Sequence, residues 1–335
     1  MWFRNARVFR FTKPVDISAE QLEQALAADA FKPCGPQETV RHGWVPPLGK
    51  HSEQLVHSAN GYHLITLRKE EKLLPGSVVK ELVDEKVEAI EAEQHRKLRR
   101  AEKDEIKEQV MLEMLPQAFS KNRRSYAYLA PKDGVMVVDA GSAKQADELA
   151  SALRKSIGSL PVRPPAVTQA PALTLTGWLD ESIDVPASLT LGDECELKAP
   201  GEDGGVVRCK GLDLQGDEIR SHLDAGMQAT RLALTWEDSV SFVLDEELGI
   251  RRLKFGDTLQ EKLDDVDADD AAARFDASFS LMTLELARLI PGLLVALGGE
   301  DRSAIVDGDR SERPAPVAAA DVEAEVAMDS TQPPW

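Results

Sequence analysis

Residues 227–255 read MQATRLALTWEDSVSFVLDEELGIRRLKF, three short runs in which apolar and polar side chains alternate. Alternation with a period of two is typical of half-buried strands. The stretch therefore predicts strands near Met227–Trp236, Ser239–Leu244 and Ile250–Phe255. Because only short polar connections separate these runs, we expect the strands to form an antiparallel sheet.

The rest of the second half is mixed. Further strands are predicted near Leu173–Trp178 and Gly205–Cys209, and a closing helix near Phe275–Leu297. The most apolar part of that helix contains Glu285, Arg288 and Pro291, so it is not expected to span a membrane.

The first half predicts a second set of strands and helices. Strands are expected at Trp2–Phe11 and Tyr62–Arg68. Between them we expect a helix after Ser18, with Leu22, Leu26 and Ala30 on one face, followed by a stretch rich in proline and glycine. A hairpin is expected from Ser125–Leu129 and Gly134–Asp139, followed by a helix at Ser142–Ile157.

A helical excursion interrupts the first half at about residues 76–118. The apolar stripe Val79, Leu82, Val83, Val87 and Ile90 has helical spacing and resumes at Ile106. A break near Ala101–Asp104 would divide it into two helices.

The predicted fold class is α+β, with two mixed domains that contain antiparallel sheets. Several prolines between Pro161 and Pro171 mark the boundary. We therefore expect an amino-terminal domain at 1–165, a carboxy-terminal domain at 166–300 and a disordered acidic tail at 301–335.

Composition narrows the function. The chain has 58 acidic and 40 basic side chains, and its net charge of −18 disfavours uniform attraction to nucleic acid. Charges are screened over about 8 Å at physiological ionic strength, so the local distribution of charge decides whether a surface attracts nucleic acid. Cys34, Cys195 and Cys209 form no CxxC pair, which indicates free thiols in a reducing cytosol.

Positive charge is concentrated in residues 94–124. On an unbroken helix, Arg96, Arg100, Lys103 and Lys107 would share one face, as a phosphate backbone requires. An ion-paired, solvated helix is the alternative, because glutamates and an aspartate are interleaved. The candidate DNA-binding residues are Arg96, Lys97, Arg99, Arg100, Lys103, Lys107, Lys121, Arg123 and Arg124.

Phe119 follows a predicted helix end and precedes a polar, basic stretch. It is a candidate anchor for a partner subunit, and an ordinary core phenylalanine is the alternative.

Metal and nucleotide motifs are weak or absent. Glu196 and Lys198, preceded by Asp180, Asp184 and Asp193, loosely fit a metal-dependent nuclease, but a polar strand edge explains them as well. The chain lacks the GxxxxGK[ST] phosphate loop, which disfavours an ATP-driven recombinase or helicase.

Two other metal patterns are incomplete. Asp265, Asp267 and Asp269 have the spacing of a calcium loop, but Asp270 stands where glycine is required. The histidines between His42 and His63 do not have zinc-site spacing. No metal or other cofactor is expected.

Several blocks in a fixed order resemble the bacterial RdgC family of recombination-associated proteins, over about residues 2–300. They include the stretches at 31–35, 43–47, 68–75, 115–120, 153–161, 191–194, 202–206, 252–255 and 271–279.

The resemblance implies a non-enzymatic homodimer that closes into a ring around DNA. Such a protein binds duplex DNA without sequence preference, and single-stranded DNA more weakly, and restrains RecA by occupying its DNA substrate. It would be a cytoplasmic, nucleoid-associated protein. The resemblance also implies that Phe119 lies at the openable subunit contact, where the partner surface includes a hairpin at about Val206–Leu214.

Two alternatives stay open beside this interpretation: a protein-interaction scaffold with incidental DNA contact, and the metal-dependent nuclease. The tail ends in Gln332-Pro333-Pro334-Trp335, which is similar to the carboxy-terminal tip of single-stranded DNA-binding proteins. It is either a partner-recruiting tip or an inert solubilising segment. If deleting 332–335 leaves every pull-down partner unchanged, the recruiting role is wrong.

Overall fold

Two antiparallel sheets form the framework of the chain, and the predicted α+β class is confirmed. The computed structural model describes residues 1–201, 204–261, 263 and 271–303. The first sheet has the order β2-β4-β5-β6-β1-β7, with β3 also paired to β4, and the second has the order β12-β11-β10-β8-β9. The strands are β1 (Arg7–Phe11), β2 (Val40–Trp44), β3 (Val56–Ala59), β4 (Tyr62–Leu73), β5 (Phe119–Ala130), β6 (Val135–Val138), β7 (Val162–Arg163), β8 (Leu189–Lys198), β9 (Val206–Lys210), β10 (Gln228–Trp236), β11 (Val240–Asp245) and β12 (Ile250–Phe255).

Helices cover parts of both sheets. They are α1 (Ala19–Ala28), α2 (Gly76–Gln94), α3 (Arg100–Met114), α4 (Ala143–Ile157), α5 (Pro171–Leu179), α6 (Asp217–Asp224), α7 (Asp257–Glu261) and α8 (Ala271–Ala296). Ser18 begins α1 with a capping box, in which its hydroxyl accepts the Gln21 N–H at 3.2 Å. The helix ends two residues before Ala30, which instead bridges to Trp44.

The second sheet is as the sequence predicts at 227–255. Strands β10, β11 and β12 pair antiparallel in succession. Their apolar residues face α8, which lies between the two sheets. Phe279 of α8 contacts Tyr128 of the first sheet with ring centroids 6.3 Å apart, and a side chain added at Gly292 would collide with Trp236 of the second.

The opposite face of the first sheet packs against α1 and α4. Leu22 and Leu26 of α1 and Leu149 and Leu153 of α4 are fully buried there. By length and mean hydropathy alone, α8 could cross a membrane, contrary to the sequence expectation. Its buried residues, among them Met282, Leu286 and Leu289, belong to the core shared by both halves. The proposed domain division therefore stays a prediction.

Helices α2 and α3 form a hairpin between β4 and β5. It has an apolar cluster of its own, made of Val79, Val87, Leu98, Ile106 and Val110. The chain turns at His95, whose φ of 51° is left-handed, and not at Ala101–Asp104 as predicted. The turn comes early because Leu98 completes the apolar cluster, while the Glu91 carboxylate accepts the Leu98 N–H at 3.0 Å.

Two other predicted elements were wrong. Residues 173–178 are helical rather than extended, because Pro171 begins a helix that buries Leu175, Trp178 and Leu179 on one side. The stretch rich in proline and glycine contains the short strands β2 and β3. Strand β1 starts only at Arg7, although Trp2–Phe11 was expected.

The Asp245 carboxylate connects the two sheets. Its Oδ2 accepts Arg7 Nη2 from the first sheet at 2.8 Å and Arg251 Nε from β12 at 2.7 Å. Its Oδ1 accepts the Gly249 N–H at 2.6 Å and the Glu247 N–H at 3.1 Å. Arg7 and Asp245 are both buried. A Cβ at Gly249 would lie 2.4 Å from Arg7 Cζ, so glycine is required there.

We predict that Asp245→Asn lowers the free energy of unfolding by about 3–5 kcal/mol, because the buried Arg7 loses its buried carboxylate and keeps only the exposed Glu247, 3.3 Å away. Urea denaturation monitored by circular dichroism measures this. The control is Glu113→Gln, which removes an exposed pair with Lys86 and should change stability by less than about 1 kcal/mol. Equal effects of the two variants would contradict a connecting role for Asp245.

A basic ribbon as the candidate nucleic-acid interface

The last residues of β4 and the first residues of β5 pair in a ribbon that leads to the helical hairpin, and β2 also pairs with β4 along residues 68–71. We define the basic ribbon as residues 68–73 and 119–124. Arg68 lies opposite Arg124, Lys69 opposite Arg123, and Leu73 opposite Phe119. Since directly opposite residues share a face of the sheet, cations accumulate on both faces of the ribbon.

One face carries Lys69, Lys121 and Arg123, together with the exposed Glu71, which lies directly opposite Lys121. Lys69 Nζ contacts the Glu148 carboxylate of α4 at 3.2 Å, and Arg123 donates to the Gln145 side chain. Lys121 and Arg123 are exposed, and neither forms an ion pair with any residue that the structure describes. This face therefore presents two cations that form no ion pair, beside one exposed acid.

The other face carries Arg68, Lys72 and Arg124. The Arg68 guanidinium lies over the Phe31 ring, 4.2 Å from its centroid, and its Nε donates to Asn122 Oδ1 at 2.9 Å. Two arginines directly opposite each other repel, so the cation–π contact helps to hold Arg68 beside Arg124.

The one carboxylate on this second face is buried. Glu70 is 9% exposed and accepts the Cys34 N–H at 2.9 Å, which, with a Ser120 hydrogen bond, lowers the pKa of Glu70. The acid lies beneath the surface while Arg124 is exposed, so the outermost charge on this face is positive.

The remaining candidates lie at the other end of α3. This helix has 15 residues, so at 1.5 Å per residue it separates the hairpin turn from the ribbon by about 22 Å. The condition for one shared basic face, an unbroken helix, is not met: residues 94–124 form two groups, and Arg96 lies in the turn, outside the helix that carries Arg100, Lys103 and Lys107.

Acids neutralise much of the group near the turn. Arg96 pairs with Glu102 at 2.5 Å, and Lys97 pairs with Glu91 at 2.6 Å. Lys103 also reaches Glu91 at 3.4 Å. These hydrogen bonds from cations lower the pKa of both glutamates to about 2. Arg99, Arg100 and Lys107 are exposed and have no ion pair within the described residues.

Phe119 begins β5 with 83% of its surface exposed. Leu73, directly opposite, is 46% exposed. An exposed apolar pair at the end of a polar ribbon is unlike a core phenylalanine and fits a partner surface.

The ribbon contains residues that sequence reasoning missed. Arg68 and Lys72 stand in a run with Glu70 and Glu71 that looks neutral when read along the chain. The useful signal is the strand period, since residues two apart share a face, but the pairing with β5 is a tertiary property.

The metal-dependent nuclease gains no support from the geometry. The Glu196 carboxylate accepts Arg208 Nε at 2.7 Å and Arg231 Nη1 at 3.1 Å, so its oxygens are already bound. Within the described residues no group of three or more histidines, cysteines or carboxylates could hold a metal ion. The calcium-like residues Asp265, Asp267, Asp269 and Asp270 lie outside the described residues, as does the tail from 304 onward.

Comparison with known proteins supplies the family. A family model described as "Putative exonuclease, RdgC" matches residues 1–300. The recombination-associated protein RdgC of Aeromonas hydrophila is 54% identical over 303 residues, which cover 90% of this chain and all of the relative. The proteins of the same name from Tolumonas auensis and Yersinia enterocolitica are each 47% identical over 300 residues, covering 90% of this chain and 99% of the relative.

The family model extends over both sheets, the basic ribbon and the helical hairpin, and ends at residue 300, just after α8. The chain belongs to the RdgC family of recombination-associated proteins.

Proposed function

We propose that this chain is a non-enzymatic protein that binds duplex DNA without sequence preference and limits the access of RecA to DNA during recombination. The observation that supports this most directly is the basic ribbon, in which Lys121, Arg123 and Arg124 are exposed and free of acidic partners among the described residues. The name of the relatives supports the connection with recombination.

Absence of sequence preference is part of the proposal. Lysines and arginines on the face of a sheet match phosphates, whereas base reading needs side chains held against base edges in a groove. The net charge of −18 does not oppose this contact, because charges more than about 8 Å away are largely screened. Binding to single-stranded DNA should be weaker, because its charge density is lower.

The proposed active form is a homodimer closed around the duplex. Phe119 and Leu73 offer an exposed apolar contact at the end of the ribbon, next to the charges that would face DNA. Encirclement prolongs residence, because leaving a closed circle of DNA requires a subunit contact to open as well as ion pairs to break. We place the protein on the nucleoid in the cytoplasm.

The description of the matching family model favours one alternative, an exonuclease. Incubation of closed circular and linear duplex DNA with the protein and Mg²⁺ distinguishes the functions. Retention of intact DNA supports the clamp, nicking or shortening supports a nuclease, and neither result supports a protein-interaction scaffold.

We predict that K121Q/R123Q, which removes two cations of one ribbon face, reduces the steepness of log K against log salt by about 1.8, because each lost phosphate contact contributes about 0.9. Fluorescence anisotropy with labelled duplex at several salt concentrations measures this. The control K13Q/K155Q removes two exposed lysines outside the ribbon and should bind like the wild type. A ribbon variant that matches this control would exclude the ribbon as the interface.

We predict that Phe119→Ala shortens residence on closed circular duplex after a high-salt challenge, while the wild type stays on circles and slides off linear DNA. The physical reason is the loss of an apolar subunit contact. Leu112→Ala removes a different exposed side chain, 50% exposed on α3, and should leave residence on circles unchanged. Equal wild-type lifetimes on circles and linear molecules would argue against encirclement.

A further inference from the structure

The second sheet carries a group of arginines beside Asn5 of the first half. Arg208 lies on β9, Arg231 on β10, and Arg251 and Arg252 on β12, around a cleft of about 390 Å³. We define the arginine cleft by these four residues. None belongs to the basic ribbon, so the cleft is a second cationic surface.

A β-bulge in β12 directs two neighbouring arginines into the same cleft. Successive residues of a strand point to opposite faces, yet Arg251 and Arg252 both line the cleft. The register of β11 against β12 shifts between Ser241 and Val243, and Arg252 has a left-handed φ of 52°. Such a conformation is costly for a residue with a side chain, and bulges commonly re-aim side chains at binding sites.

Carboxylates hold each arginine by one edge. Glu196 accepts Arg208 through Nε and Arg231 through Nη1, and Asp245 accepts Arg251 through Nε. A guanidinium has five N–H groups, so each of these three retains several donors beyond its carboxylate. Glu194 fixes Arg252 through two hydrogen bonds, at 2.6 and 2.9 Å.

The relative exposure of the acidic and basic side chains makes the surface charge of the cleft positive. The side chains of Glu194, Glu196 and Asp245 are 28%, 14% and 5% exposed, whereas those of Arg208, Arg231, Arg251 and Arg252 are 74%, 40%, 29% and 51% exposed. Each acid is therefore less exposed than the arginine of the cleft that it binds, although the charges nearly balance in number. A ligand that approaches the cleft meets guanidinium groups first.

The arrangement of the arginines suits neighbouring phosphates. The four guanidinium groups converge on one cleft, since Arg252 of β12 reaches Glu194 of β8 at 2.6 Å. One strand of a duplex carries a phosphate about every 3.4 Å, so neighbouring phosphates can meet several of these groups together. Arginine forks also match phosphate oxygens in pairs.

We propose that the arginine cleft is a second contact for the DNA phosphate backbone, separate from the basic ribbon. The inference rests on the proposed function, since it presumes that the protein binds DNA. The buried carboxylates pre-position the guanidinium groups, so little side-chain entropy is lost when phosphates bind.

The test compares R208Q/R231Q with R220Q/R288Q by anisotropy across salt concentrations. Both control arginines are exposed and paired with glutamates, Glu181 and Glu237, outside the cleft. We expect the steepness of log K against log salt to fall by about 1.8 in the cleft variant and to stay at the wild-type value in the control.

A second variant tests whether any loss of binding comes from misfolding. E196Q/R208Q/R231Q removes the buried carboxylate together with both cations, so no buried charge loses its partner. Thermal unfolding and sedimentation confirm that each variant is a folded dimer like the wild type. The same reduction in salt dependence is expected for this variant.

The possible outcomes distinguish failure of the cleft proposal from failure of the proposed DNA-binding function. If the wild type and the ribbon variant behave as predicted but folded cleft variants match R220Q/R288Q, the cleft proposal is overturned and the proposed function stands. If the wild type binds no DNA, both are overturned. If the cleft variants bind DNA normally but lose binding to inorganic polyphosphate, the cleft holds another polyanion and the DNA assignment is wrong.

Discussion

A buried carboxylate and a short backbone bridge connect the two halves of this protein. Asp245 accepts hydrogen bonds from Arg7 of the first sheet and Arg251 of the second, and from two backbone N–H groups of the turn that follows it. The backbones of Ala6 and Ile250 exchange two hydrogen bonds, of 2.7 and 3.0 Å. Hydrophobic residues of α8 belong to the core shared by both halves, but such contacts are non-directional. The charged and backbone hydrogen bonds fix how β1 is oriented against β12, and with it the relation of the basic ribbon to the arginine cleft.

The sequence predicted those parts of the fold that depend on local periodicity. Strands β10 to β12, helix α4 and helix α8 each bury one regular set of apolar residues, so a short window contains the information. Residues 173–178 failed because Leu and Thr alternate there with a period of two, although their burial follows a helix. Helix and strand patterns are hard to separate over so few residues.

The candidate surfaces were harder to predict than the fold. Lys121, Arg123 and Arg124 were found because they are consecutive enough to be visible as a basic run. Their neighbours Arg68 and Lys72 come from a strand about 50 residues earlier, and only the pairing of β4 with β5 brings them together. The arginine cleft combines strands from Arg208 to Arg252, and its β-bulge has no local sequence signature.

The helical hairpin has a mechanical consequence. It is attached to the sheet through two neighbouring strands and is stabilised by its own apolar cluster, so it behaves as a lever on the end of the ribbon. Helix α2 is about 28 Å long, and a rotation of about 5° at its base therefore displaces the turn at His95 by about 2.5 Å. A slight change in the twist of β4 and β5 thus becomes a movement comparable to the length of a hydrogen bond at the far end.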